Sequence, residues 1–275
     1  MKCKPQGRRL ESIQSLGLCG VLLLAGAGCG KSPPIEEQAA EAYNFGLFYV
    51  DKGDAATAVA WFNEAIRRDP NHADAYLSRG IIHGQQGNGR EALADLSDVI
   101  RIQPESALAY HERGMLYIRA NAFDLAIDDF SDALRIDPNR DLRTARGFAY
   151  MKKGNGDGAL ADFNQAIQRN PNDAEAHNHR AYILVQVNQL DQAQADATRA
   201  IAIRPQFVDA FNTRGLVHVR RQAWSNAVVD FEAALRLQPD FPQAAENRQH
   251  ALNELAKEQA AAAPAEDAST DEAAQ

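Results

Sequence analysis

Residues 25–32 read Ala-Gly-Ala-Gly-Cys-Gly-Lys-Ser, the residue types that cradle a phosphate when a strand feeds the loop and a helix follows it. Neither condition is met. Pro33 and Pro34 come next, proline has no N–H to donate, and the first glycine of the motif is Ala25. An NTPase built on this loop is therefore the remote alternative. The three cysteines, Cys3, Cys19 and Cys29, all precede residue 30, so the rest of the chain can hold no disulfide or thiolate metal site. The seven histidines are scattered. His177 and His179 stand two apart and would point in different directions on a helix. No set of nucleophile, base and orienting residue is found. The residues thus predict no catalysis, no cofactor and no metal.

The elements around these residues keep a strict beat. Pro70, Pro104, Pro138, Pro171, Pro205 and Pro239 recur at intervals of 34, 34, 33, 34 and 34 residues. Gly46, Gly80, Gly114, Gly147 and Gly215 keep the same period, with Ala181 in the remaining slot. A period of this length specifies a stacked array rather than one globular core. In residues 73–106, Ala73 to Gln86 reads as one helix, Gln86-Gly87-Asn88-Gly89 as a turn, and Arg90 to Ile102 as a second helix. Ala92, Leu93, Leu96 and Ile100 share one face of that second helix. Gln103-Pro104 ends it, because proline disfavours a helical residue before it. Two such helices bury their apolar faces only when the next pair stacks on them.

The residues in these slots resemble the tetratricopeptide repeat. The first unit shows Gly46, Tyr49, Gly53, Ala58, Phe62, Ala65 and Pro70, the family's order and spacing. The fourth repeats it with Gly147, Tyr150, Gly154, Ala159, Phe163, Ala166 and Pro171, and the fifth departs most, with Ala181, Leu184 and Ala197. The expected fold is all-α: a right-handed α-solenoid of six helix hairpins plus a C-terminal capping helix. The expected units are 39–72, 73–106, 107–139, 140–173, 174–207 and 208–241, followed by a cap at 242–259 and a disordered acidic tail at 260–275. The 33-residue interval places a deletion between Pro138 and Gly147, which predicts a loop or first helix one residue shorter and a local change of superhelical twist.

Two further slots vary together. Arg79, Arg113, Arg146, Arg180 and Arg214 precede the small residue of the first helix, and Asp95, Asp129, Asp162, Asp196 and Asp230 precede the large slot of the second. The first unit has neither, with Phe45 and Trp61 instead. Five ion pairs and one aromatic contact are expected.

The family resemblance implies that the first helices line a concave groove for a protein or peptide partner. Its candidate residues are Tyr43, Leu47, Leu77, Ile81, His111, Met115, Phe148, Asn178, Tyr182 and Asn212, with Thr144 and Leu216 in the same rows. Asn178 and Asn212 could hydrogen-bond an extended peptide backbone. The apolar row serves equally as inter-helix core. The lysine and asparagine clamp of chaperone-tail binders does not appear.

The N-terminus carries Lys2, Lys4, Arg8 and Arg9, then the uncharged run Leu16 to Gly28, which suits a signal-peptide core. Gly26-Ala27-Gly28-Cys29 resembles a bacterial lipobox and implies lipidation at Cys29, with 1–28 removed and 29–38 a linker. An ordinary signal peptide and a soluble periplasmic protein is the alternative. Gly30 after the cysteine resembles outer-membrane lipoproteins, so the expected location is the outer membrane, facing the periplasm and held by lipid. Removal of 1–28 takes four basic and one acidic residue with it, so the net charge of −8 becomes −11. So acidic a chain is a poor partner for nucleic acid. The expected function is a non-catalytic scaffold like the tetratricopeptide lipoproteins of bacterial envelopes, or a pilotin-like helper of pilus or secretin assembly.

Overall fold

A computed structural model describes residues 34–262, and the described residues form thirteen helices and no strand. They are α1 (Ile35–Asp51) and α2 (Ala55–Arg68), α3 (Ala73–Gln85) and α4 (Gly89–Ile102), α5 (Ala107–Arg119) and α6 (Phe123–Ile136), α7 (Arg143–Lys152) and α8 (Gly156–Arg169), α9 (Ala174–Gln186) and α10 (Leu190–Ile203), α11 (Val208–Arg220) and α12 (Trp224–Leu237), and the single α13 (Pro242–Ala262). Each pair forms a hairpin, and each second helix also packs on the first helix of the next unit. The chain is an all-α solenoid. The first helix starts at Ile35, inside the expected linker, and the last runs to Ala262, past the expected end of the cap.

Three local devices recur with the period. Between the helices of each pair one residue is left-handed: Gly53, Gly87 and Gly154 at φ 75°, 81° and 78°, and Asn121, Asn188 and Gln222 at 56°, 61° and 57°. The amide after it returns to a carbonyl five residues earlier, Asp54 N to Tyr49 O at 2.9 Å and Asn155 N to Tyr150 O at 2.9 Å. This is the Schellman closure, and it satisfies a carbonyl the helix leaves open. Each second helix stops at an extended residue before its proline, as at Asp69 with φ −125° and ψ 99°.

The third device is the glycine–aromatic contact. Phe62, Phe130, Phe163 and Phe231 are fully buried, each contributing about 2–3 kcal/mol of burial. A Cβ on Gly147 would lie 2.7 Å from Phe163 Cε1, and one on Gly114 would lie 2.8 Å from Phe130 Cε1. The glycines are there because the rings occupy that space. In the fifth unit Ala197 replaces the ring, and Ala181 fits where glycine stands elsewhere.

The short interval is resolved differently from the expectation. The loop after Asp137 is longer than its counterparts, reaching Leu142, while α7 has 10 residues against 13 in α5 and α9. The helix has lost its first turn. Leu142 sits at 2% exposure in the core with Ala126, Phe130 and Ala133, at the position alanine holds in α3, α5, α9 and α11.

Both ends of the array differ from its middle. Ala75, Ala109, Ala176, Ala210 and Ala244 are buried where units stack, and the equivalent Glu41 is exposed. Ile82, Leu116, Ala149, Ile183, Val217 and Ala251 are buried at the slot where Phe48 is 52% exposed. In α13 the exposed Gln249 takes the glycine slot, so no aromatic of a further helix can close on it.

Candidate functional site

The five expected ion pairs form, each within one unit. Arg146 donates from Nε and Nη2 to Asp162 at 2.8 Å each, and Arg113 binds Asp129 the same way, at 2.8 Å from each nitrogen. Arg79–Asp95, Arg180–Asp196 and Arg214–Asp230 repeat the forked geometry. All five aspartates are buried. Hydrogen bonds to the carboxylates hold Arg79, Arg113, Arg146 and Arg214 above the usual guanidinium range. In the first unit Phe45 stacks on Trp61 at 4.8 Å between ring centres.

In four of the five, Arg214 being the exception, the third guanidinium nitrogen crosses to the preceding unit. Arg113 Nη1 reaches Ser97 Oγ at 3.1 Å, Arg146 Nη1 reaches Ser131 Oγ at 3.0 Å, and Arg180 Nη1 reaches Asn164 Oδ1 at 2.7 Å. Arg79 makes the same bond to Asn63. Arg248 of α13, the last of the described helices, continues the series and donates to Glu232 of the sixth unit. The sequence signal for this contact is Arg248 standing 34 residues after Arg214, and sequence reasoning missed it. These charges are structural.

The two histidines part as expected. His177 Nδ1 is 2.8 Å from Asp196 Oδ1 and its Nε2 is 3.3 Å from the Pro171 carbonyl. Burial pushes the Asp196 carboxyl upward, but hydrogen bonds from His177 and Arg180 outweigh it and hold it below the ordinary carboxylate value. His179 lies between the rings of Phe148 and Phe163, 5.3 and 5.6 Å from their centres, and burial lowers its pKa. Among the described residues no cluster of metal-ligating side chains occurs.

The groove candidates divide. A pocket of about 500 Å³ gathers Phe148, Asn178, Tyr182 and Asn212, together with Lys152, His179, Gln186, Asp209 and Phe241. A second pocket of about 460 Å³ gathers His111, Met115 and Thr144 with Asp141, Asp173 and Glu175. The two share Phe148 and His179 and form one trough across α5, α7, α9 and α11. Ile81 lies apart, in a small pocket of about 70 Å³. Tyr43 and Leu47 pack half-buried against the core of the first unit, and Leu77 against that of the second. The Tyr43 ring reaches Phe62 and His72, at 5.7 and 5.0 Å, so burial raises its pKa.

Asn178 is distinctive within the trough. It is 3% exposed, and its Oδ1 has no hydrogen-bond partner. A buried amide oxygen left unpaired costs about 1–3 kcal/mol. Its neighbour Asn212 accepts at Oδ1 from Asn247 Nδ2 at 3.1 Å.

The expected signal segment, the lipidation residue Cys29, the 25–32 loop and most of the acidic tail lie outside the described residues. No described helix is long and apolar enough to cross a membrane.

No match was found among curated proteins. Among solved structures the chain is similar to YrrB, described as a TPR protein with an unusual peptide-binding site, at 24% identity and TM-score 0.58, covering 68% of this chain and 97% of that one. It is similar to Pseudomonas aeruginosa PilF at 16% identity and TM-score 0.66, covering 78% and 99%. It is similar also to PilW, described as a widely conserved type IV pilus biogenesis factor, at 21% identity and TM-score 0.56, covering 68% and 92%. At these identities the likeness is one of fold. A family model described as TPR repeat matches residues 46–87 and 147–188, and a second, described as Tetratricopeptide repeat, matches 77–141 and 180–245. With the recurring slots, the helix hairpins and both models in agreement over most of its length, the chain belongs to the tetratricopeptide repeat family.

Proposed function

We propose that this protein is a non-catalytic adaptor that holds an extended peptide segment of a partner protein in the trough across α5, α7, α9 and α11. The observation that carries the reading is Asn178. An unpaired amide oxygen, buried at the wall of a pocket beside Asn212, is an acceptor awaiting a backbone N–H. Phe148 and Tyr182 supply apolar contact, and no bound metal or cofactor is needed for such recognition. Likeness of fold to YrrB, with its peptide-binding site, is in keeping with this.

The N-terminal residues support export, with Cys29 diacylated and the array facing the periplasm from the outer membrane. A soluble periplasmic form is the second reading. A helper role in pilus assembly is favoured by the similarity to PilW and stays within the same class. The test is affinity capture from the membrane fraction with the full chain as bait, paired with Asn178→Ala plus Asn212→Ala. A partner lost with the double variant supports the trough, and one retained places binding elsewhere. Mass spectrometry of the mature N-terminus decides the anchor: a diacylated Cys29 supports it, and an unmodified start overturns it and removes the membrane from the reading.

A further inference from the structure

Resting on the peptide-binding reading, we infer that the bound segment is basic: an apolar side chain seated beside Phe148 and Tyr182, with a lysine or arginine lying in the adjoining pocket. That second pocket is lined by Asp141, Asp173 and Glu175 and by no lysine or arginine. Asp173 is already engaged, accepting from Ala176 N at 2.9 Å and from Thr144 Oγ1 at 2.6 Å. Glu175 is exposed and held only by Arg204 Nη2 at 3.2 Å, where both side chains are half in solvent. Asp141 is exposed at the pocket rim. Two carboxylates thus face the trough with capacity to spare for a cation. In the first pocket Lys152 and Asp209 balance each other. The field along the trough therefore runs from neutral and apolar around Phe148 and Tyr182 to acidic at the N-terminal ends of α7 and α9.

The independent sign of a ligand is Asn178, whose buried Oδ1 opens the same trough from its apolar end. The spacing follows from α9, which touches both α7 and α11. Glu175 and Tyr182 stand on α9 seven residues apart, about 10 Å along its axis, which corresponds to about three residues of extended chain at ~3.3 Å each. The apolar and basic side chains are thus about three residues apart. Charge complementarity of this kind sets specificity more than raw affinity.

The probe is a blocked, dye-labelled peptide of about ten serines and glycines carrying one phenylalanine and, three residues on, lysine, norleucine or glutamate. Binding to the full chain is read by fluorescence anisotropy at low and high salt. The lysine peptide is expected to bind about tenfold more tightly than the glutamate peptide, with the gap closing at high salt. Asp141→Lys with Glu175→Lys, both at exposed positions, is expected to reverse the order. Equal binding of the three peptides, or an order unchanged by that variant, overturns the inference while leaving peptide binding intact. Absence of binding by all three, or binding that Asn178→Ala leaves undiminished, overturns the peptide reading itself.

Discussion

Arg146 and Asp162 meet through two parallel hydrogen bonds of 2.8 Å, and the same guanidinium reaches Ser131 of the unit before it. One side chain therefore closes its own hairpin and ties it to its neighbour. Asp162→Ala leaves a cation largely out of water without its counter-ion. The expected loss is about 2–3 kcal/mol, below that of a fully buried pair because Arg146 keeps a fifth of its side-chain surface exposed. An array loses units locally, so the readout is hydrogen exchange in α7 and α8. Replacing both residues by Met and Leu should recover most of the loss. Protection unchanged in Asp162→Ala would show that the pair contributes nothing.

Gln222 occupies the left-handed turn slot that Gly53, Gly87 and Gly154 fill elsewhere. A glutamine at φ 57° carries steric strain that glycine does not, and its side chain is exposed. Gln222→Gly is expected to stabilise the α11–α12 hairpin by about 0.5–1 kcal/mol. Thermal melts that fall rather than rise would reverse that assignment.

The prolines and glycines make the architecture legible because each does one physical thing. Proline ends a helix, and glycine either turns left-handed or admits a ring. The Arg–Asp pairs are readable because both partners vanish together in the first unit, where Phe45 and Trp61 replace them. The shape of the fourth unit is not. A missing residue does not say how loop and helix divide the change, and here burial of Leu142 decides it by costing α7 its first turn. The groove rows are legible only in part. Tyr43 and Asn178 hold the same repeat slot, yet the long tyrosine turns onto Phe62 and His72 while the short amide stays at the trough wall. Slot position alone does not say which way a side chain reaches.

His179 gives the trough a pH dependence. Burial holds its pKa below the ordinary histidine value, so it is neutral in the folded chain at neutral pH. Because the folded value is lowered, the stability it contributes is present above the unfolded pKa and is lost as pH falls through the folded one. The charged groups facing it are Asp173 and Glu175 on the α9 side, Asp209 on α11 and Lys152 on α7, with His111 across the second pocket. A basic peptide should bind more weakly as the imidazole gains its proton, at a pH below the ordinary histidine value. His179→Gln is expected to flatten most of that dependence on the acid side of the ordinary histidine value. A slope that survives His179→Gln but disappears in His111→Gln assigns the effect to the other histidine.

Asn178 separates a structural role from a binding role by the sign of a single substitution. If the amide served the fold, its oxygen would be paired; instead it is buried and unpaired. Asn178→Leu replaces it with an apolar group of similar size, removing a desolvated acceptor without opening a cavity. The free chain should gain about 1 kcal/mol in stability, seen as a raised Tm. Binding of the lysine–phenylalanine peptide should weaken about tenfold, since the backbone N–H it would satisfy then meets a methyl group. Stability and binding moving in opposite directions is the pattern of a residue kept for a ligand at a cost to the fold. A lowered Tm with unchanged binding would make Asn178 part of the α9 packing and shift the search for the recognition amide to Asn212.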